Sequence, residues 1–124
     1  MKFIKYFLSH LMIGLFLILL NGCGGDNETS SKFVELNASV SHSNLQFTIK
    51  NNDDFDYKNV KMEVNGEYTL IEDKLEAGKT YTVGFMQFAD SKGNRFTNKL
   101  KPLKFSITCD LDDSKHGSYF AGWK

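Results

Sequence analysis

The sequence predicts an all-β sandwich domain that follows a short apolar leader. From residue 33 onward, apolar side chains alternate with polar ones at a period near two, which is typical of half-buried strands. Turn residues recur at the spacing of about 8–12 residues that is typical of sandwiches and barrels. No segment beyond the leader shows a helical period, so we predict about seven short strands within residues 33–124.

Residues 1–22 form the leader. Lys2 and Lys5 give it a basic start, and an apolar run extends from Phe3 to Leu20. A basic start, an apolar core and small residues at the end are typical of an exported signal peptide. The clean part of the run is shorter than the about 20 residues of a membrane-spanning helix. An uncleaved membrane anchor is the alternative.

The leader ends in Leu20-Asn21-Gly22-Cys23, which resembles the lipobox of bacterial lipoproteins. The resemblance implies cleavage between Gly22 and Cys23 and a diacylglycerol thioether on Cys23. The amine of Cys23 becomes the new N-terminus and can take a further acyl chain such as palmitate. Each buried methylene contributes about 0.8 kcal/mol, so two or three chains give a stable membrane anchor.

Residues 24–32 are polar and contain glycine and serine, which predicts a flexible tether with a span of about 15–18 Å. Gly24 and Gly25 follow the cysteine, so the Asp-type signal that retains enterobacterial lipoproteins in the inner membrane is missing. The resemblance therefore implies a lipid-anchored protein of the cell envelope. In a Gram-negative organism it implies the outer membrane, on its periplasmic or surface face.

The charge balance argues against an electrostatic partner. Loss of Lys2 and Lys5 with the leader leaves 13 basic residues against 15 acidic ones. A side-chain charge near −2 gives no reason to expect nucleic acid or an anionic lipid surface as the partner.

The alternation predicts the strands in order. Asn65-Gly66 is a strong two-residue hairpin signal, and Pro102 suits the entry to a strand rather than its middle. The predicted strand runs are Val34–Val40, Leu45–Ile49, Val60–Val64, Tyr68–Leu70, Tyr81–Phe88, Arg95–Thr97 and Leu103–Leu111.

A leucine, a turn glycine and a tyrosine follow one another at Leu75, Gly78 and Tyr81. This spacing resembles the tyrosine corner of immunoglobulin-like and fibronectin-III-like sandwiches. There the hydroxyl bonds back to the backbone and fastens a crossover between the sheets. The alternative is that Tyr81 is simply the first core residue of its strand.

A wider pattern combines Asn51-Asn52, Phe55, Asn59-Val60, Gly78 and Tyr81 with a Phe-rich strand. It resembles the small exported immunoglobulin-like modules of the FxLYD type, which occur in bacterial lipoproteins. The FxLYD motif is not intact here, since Phe88 and Ala89 stand where leucine and tyrosine would. The resemblance implies an all-β accessory domain and carries no catalytic residues over.

Several polar residues are candidate metal ligands or catalytic groups. The acidic runs at residues 51–56 and 110–113 could offer oxygens to Ca²⁺, although asparagine and aspartate also favour turns. His42 and His116 are too far apart in sequence to suggest a zinc set. Cys109 falls among the apolar positions of its strand, so we expect a buried, inert thiol. We predict no catalytic residues, no metal and no cofactor.

Three aromatic residues, Tyr119, Phe120 and Trp123, lie in the tail. They are candidate partner-binding residues, because tyrosine and tryptophan dominate interface hot spots. The alternative is that the tail docks as a final strand and Trp123 caps the core.

We therefore expect a non-catalytic, lipid-anchored module that binds or scaffolds an envelope protein or a glycan. The second hypothesis is an inhibitor or accessory subunit of an envelope enzyme. A small hydrolase is a third hypothesis, which the absence of a recognisable catalytic set disfavours.

Overall fold

A computed structural model describes residues 33–112 and 114–124, which form eight strands in two sheets. The all-β prediction is confirmed. The leader, Cys23 and the tether lie outside the described residues. The strands are β1 (Phe33–Glu35), β2 (Ala38–Ser43), β3 (Gln46–Asn51), β4 (Tyr57–Val64), β5 (Tyr68–Leu75), β6 (Thr80–Gly84), β7 (Lys104–Asp110) and β8 (His116–Gly122).

The larger sheet has the strand order β1-β8-β7-β4-β5, and the smaller sheet has the order β2-β3-β6. The pair β1–β8 is parallel, whereas the other strand pairs are antiparallel. This is the arrangement of an immunoglobulin-like sandwich, with β5 joined to the larger sheet.

The sandwich has two ends, which differ in character. We call the end that contains Phe33, the first described residue, the entry end. There Phe33 pairs with His116, which in turn pairs with Asp110. At the far end Ser43 pairs with Gln46 and Lys104 pairs with Gly122. The entry end carries the connections at residues 52–56, 76–79 and 111–115. The far end carries the connections at residues 44–45, 65–67 and 85–103.

The first predicted strand is in fact two strands. β1 pairs with β8 in the larger sheet, and β2 pairs with β3 in the smaller one. Leu36 lies at the switch and packs tightly over Gly117, where a Cβ atom would overlap its side chain. The three residues of β1 are exposed, but Leu36 and Ala38 are both buried, so the alternation continues through the switch and the sequence pattern did not reveal the break.

The β4–β5 hairpin forms at Asn65-Gly66 as predicted, but its loop has three residues. Val64 pairs with Tyr68, and the Glu67 N–H donates to the Val64 carbonyl at 3.1 Å. Asn65 and Gly66 both have positive φ, at 56° and 69°. Asparagine and glycine are the residues that tolerate this conformation best.

The predicted bond of the Tyr81 hydroxyl to the preceding backbone is confirmed at the crossover from β5 to β6, one crossover earlier than in the tyrosine corner of immunoglobulin-like domains. The Tyr81 hydroxyl accepts a hydrogen bond from the backbone N–H of Glu76 at 2.7 Å. β5 belongs to the larger sheet and β6 to the smaller one, so this bond fastens the connection between the two layers.

The predicted strands through Phe88 and at Arg95–Thr97 are not regular strands. β6 ends at Gly84, and a 3₁₀ turn follows at Phe85–Gln87. Ala89 then forms isolated bridges to Thr69 and Arg95. In a 3₁₀ turn, residues three apart face the same side, which lets Phe85 and Phe88 both reach the core.

The core fills the space between the two sheets. It combines alternate residues of the strands with three phenylalanines from the far-end connection. Its largest fully buried hydrophobic side chains are Tyr57, Phe47, Phe88, Phe96, Phe105, Ile49, Met62, Leu75, Ile107, Val60 and Val64. Among the described residues no helix is long and apolar enough to cross a membrane.

Candidate binding surfaces

The tail forms β8, and the structure separates its three aromatic residues. Tyr119 is half-buried and packs against the core, whereas Phe120 points outward and is 76% exposed. Trp123 follows the strand and also packs against the core. Neighbouring residues of a strand face opposite sides of the sheet, so two of the three candidate binding residues support the core and one faces solvent.

Trp123 closes the far end of the core. Its ring lies edge-on to His42 at a centroid distance of 4.7 Å, with Phe47 at 6.3 Å and Phe105 at 6.5 Å. The backbone N–H of Trp123 donates to the Leu103 carbonyl at 2.8 Å. Trp123 therefore connects β2 of the smaller sheet to β7 of the larger sheet.

Phe120 stands on the outer face of the larger sheet. Its partner across β7 is Ser106, which in turn pairs with Glu63 of β4. A groove of about 510 Å³ lies on one side, bounded by Phe33 and Leu36, and another of about 290 Å³ lies beside Lys104. The phenyl ring therefore projects between two concave regions.

The edge of β8 is open beside Phe120. Pairing of β1 with β8 covers His116–Ser118, after which the chain leaves for the smaller sheet. Along a strand of an antiparallel ladder, the backbone groups of successive residues point alternately toward one neighbouring strand and away from it. The Trp123 backbone N–H bonds to the Leu103 carbonyl on the β7 side. The backbone N–H and C=O groups of Phe120 and Gly122 therefore point away from β7.

The first acidic run is a structural element of the entry end. The fully buried side chain of Asn51 donates to the carbonyls of Phe55 and Leu75, at 2.9 and 3.0 Å, and accepts from the N–H of Asp53. The Asp53 carboxylate accepts from the Tyr57 hydroxyl at 2.7 Å. Burial and this hydrogen bond raise the pKa of Tyr57 far above its usual value.

The second acidic run forms ion pairs and hydrogen bonds with β4 and β8. Asp110 accepts from the Asn59 amide at 3.0 Å and contacts the His116 ring at 2.9 Å, and these bonds lower the pKa of Asp110. Asp112 pairs with Lys58 at 2.8 Å, which lowers the pKa of Asp112. Within residues 33–112 and 114–124, no three histidine, cysteine or acidic side chains are grouped to hold a metal.

The prediction of a buried thiol at Cys109 is confirmed. The residue is 4% exposed and packs in the core, and burial raises its pKa to about 11. A thiol with so high a pKa holds almost no thiolate at neutral pH, so it is a poor nucleophile. His42 and His116 lie at opposite ends of the sandwich.

The far end has a feature that the sequence pattern did not reveal. Asn44 and Leu45 form the two-residue β2–β3 turn, with φ values of 53° and 64°. Asparagine tolerates this left-handed conformation, whereas leucine does so at a cost of about 1–2 kcal/mol. Leu45 is nonetheless 52% exposed, and its carbonyl is held by the Phe85 N–H at 2.9 Å.

Leu45 borders a far-end groove of about 530 Å³. Met86, which is 62% exposed, lines the same groove, together with Thr97 and Asn98. An exposed leucine in an unfavourable conformation is a reason to look for a function. A simple signal existed in the sequence, because leucine follows asparagine where glycine is the usual residue of such a turn.

The lipidation residue Cys23 and the cleavage residue Gly22 lie outside the described residues. Comparisons with protein-family models, with curated proteins and with solved structures found no match to this chain.

Proposed function

We propose that the protein is a lipid-anchored, non-catalytic module of the cell envelope that binds a protein or glycan partner through the outer face of its larger sheet. The observation that carries the proposal is the exposed ring of Phe120. It stands on a strand of the sheet rather than at a loop tip, and grooves flank it on two sides.

Phe120 has the properties of an interface anchor. An aromatic ring supplies a large apolar area with few rotatable bonds, and such residues carry much of the binding energy at protein interfaces. The neighbouring side chain of Ser106 is small, so a partner can reach the whole ring. The open edge of β8 offers backbone hydrogen bonds to an extended peptide, which is a common mode of peptide recognition.

The lipid anchor is the second part of the proposal. It rests on Leu20-Asn21-Gly22-Cys23 and on the apolar run that precedes them. The FxLYD-type resemblance supports the same assignment, because those modules occur in lipoproteins. The chain enters the domain at Phe33, so the anchor would act on the entry end of the sandwich.

Cross-linking in intact cells tests the binding surface. Full-length wild type, Phe120→Ala and Ile71→Ala are compared after mild cross-linking and affinity recovery. Ile71 is a matched control, since it is also exposed on the larger sheet but lies at the β5 edge. We expect one set of partners to be recovered with wild type and Ile71→Ala and lost with Phe120→Ala. Equal recovery with all three proteins would refute the role of Phe120.

The same recovery distinguishes the alternative function. Reproducible recovery of a single envelope enzyme, with its activity changed by the purified protein, would favour an inhibitor or accessory subunit. Recovery of surface proteins or glycan material would favour a binding module.

Metabolic labelling tests the anchor. Labelled palmitate should enter the wild type and should not enter Cys23→Ser, while processing should stop when the lipoprotein signal peptidase is inhibited. Equal labelling of the two proteins would rule out lipidation at Cys23.

A further inference from the structure

The far end combines exposed apolar side chains with a concave surface. Leu45 and Met86 are both more than half exposed beside the groove that they line. Leu100, which is 37% exposed, lies in the adjoining turn, where its N–H donates to the Thr97 carbonyl. We call the groove and residues 97–101 the far tip.

The far tip lies in a strongly basic part of the chain. Residues 91–104 contain five basic side chains and no acidic one, and Lys99 and Lys101 belong to the far tip itself. The preceding carboxylate, Asp90, accepts hydrogen bonds from the backbone of Lys92 and Asn94, so it is used within its own turn.

Three lysines of the entry end, Lys58, Lys74 and Lys79, each lie within 4.0 Å of a carboxylate. Within residues 33–112 and 114–124, no basic side chain from residue 92 to residue 104 lies that close to a carboxylate. The far tip therefore presents apolar side chains beside lysines that form no ion pair within the described residues.

We infer that the far tip binds an acidic segment of a partner protein, with an apolar side chain of that segment seated against Leu45 and Met86. The complementary charges of such a segment would meet Lys99 and Lys101, which speeds encounter and fixes the orientation. The apolar contact supplies the desolvated centre that a specific interface needs.

The choice of a protein rather than a bilayer rests on the shape of the surface. Leu45 and Met86 line a groove of about 530 Å³ together with Thr97 and Asn98. A groove of this size can take a side chain of a partner protein, whereas a bilayer offers a flat surface.

Peptide binding to the full chain tests the inference. The chain is held in nanodiscs of zwitterionic lipid, and the probe is a fluorescent peptide of glutamates around one central leucine. We expect saturable binding that weakens with added salt, because screening shortens the reach of exposed charges. We expect Lys99→Glu/Lys101→Glu to lower the affinity at least about tenfold, and Leu45→Gly to do the same.

Three controls separate this surface from general stickiness. Lys115→Glu and Ile71→Ser change an exposed lysine and an exposed apolar side chain elsewhere, and both should bind like wild type. A peptide with glutamine in place of glutamate should bind at least about tenfold more weakly than the acidic one.

Three results would overturn the inference. The first is a Kd weaker than about 1 mM for the acidic peptide. The second is equal binding by the far-tip variants and wild type. The third is binding of the far tip to anionic phospholipid vesicles in preference to the peptide. Phe120→Ala should leave peptide binding unchanged, so failure of the proposed function and failure of this inference give different results.

Discussion

The two ends of the sandwich are closed in different ways. At the entry end, Asn51, Asp53 and Asp110 all bond to neighbouring groups of the same domain. At the far end, the core is closed by aromatic rings, while Leu45, Met86 and several lysines face solvent. The difference indicates that the entry end is arranged for stability and that the far end gives up some stability for an exposed surface.

Asn51→Asp should have the largest effect, because it disrupts the centre of the entry end. The Asn51 amide donates to two carbonyl oxygens in a fully buried position. An aspartate there offers no donors when ionised and leaves a buried charge, at a cost of about 3–5 kcal/mol. We expect the midpoint of urea unfolding to fall accordingly, and Tm to fall by at least about 12 °C.

The neighbouring residue provides the control. The exposed Asn52 side chain donates to the Ser39 hydroxyl at 2.8 Å. Asn52→Ala should change the free energy of unfolding by no more than about 0.5 kcal/mol. Similar losses for the two variants would mean that the entry end does not depend on the Asn51 amide.

Trp123→Ala and Phe120→Ala should separate the two roles of the tail. Trp123 contacts three rings that close the far end, so its truncation should cost about 2–4 kcal/mol. Phe120 is mostly exposed, and its truncation should change the free energy of unfolding by about 0.5 kcal/mol or less. Denaturant melts of the two variants check this, and a larger loss for Phe120→Ala would contradict the assignment.

The sequence could predict the features that depend on local pattern. The alternation places Phe105, Ile107 and Cys109 in the core, and the spacing of Gly78 and Tyr81 predicts the corner. Leu103, which continues the same alternation, is exposed, because β7 begins at Lys104 and the alternation has no meaning outside the strand.

Features that depend on long-range partners could not be predicted. Asn51 looks like part of a polar turn, and its burial follows from carbonyls 4 and 24 residues away in sequence. The far tip depends on how the β2–β3 turn meets residues 85–98, which no local pattern specifies. Local periodicity therefore predicts which residues face inward, and tertiary contacts decide which surface is left for a partner.

Leu45→Gly should make the domain more stable. Glycine adopts the left-handed conformation without steric cost, and Asn-Gly is the preferred pair for this turn. After allowing for the greater freedom of glycine in the unfolded chain, we expect a gain of up to about 1 kcal/mol, or about 4–8 °C in Tm. Thermal unfolding measures the gain.

A matched change tests whether strain is the cause. Leu45→Ala keeps the strained conformation but removes the exposed side chain, so it should not stabilise the domain. A loss of stability in Leu45→Gly would mean that the leucine side chain contributes to packing, and the contrast between the two ends would then be weaker.

Asn59→Gly should have the smallest effect and reports on the entry end alone. Asn59 has a φ of 47°, which glycine tolerates, so the change removes the amide donor while keeping the backbone. The hydrogen bond from Asn59 is the main cause of the lowered pKa of Asp110, and its loss should raise that pKa toward about 3.9. A group whose pKa is lower in the folded state than in the unfolded chain stabilises the domain above its unfolded pKa. This contribution is lost as the pH falls through the folded pKa. The stability that the bond contributes should therefore be present at neutral pH and disappear below about pH 4.

Carboxyl NMR titration measures the shift, and the pKa of Asp112, which is held by Lys58, should stay the same in the variant. An unchanged pKa for Asp110 would mean that its contact with His116 is sufficient to hold the carboxylate ionised.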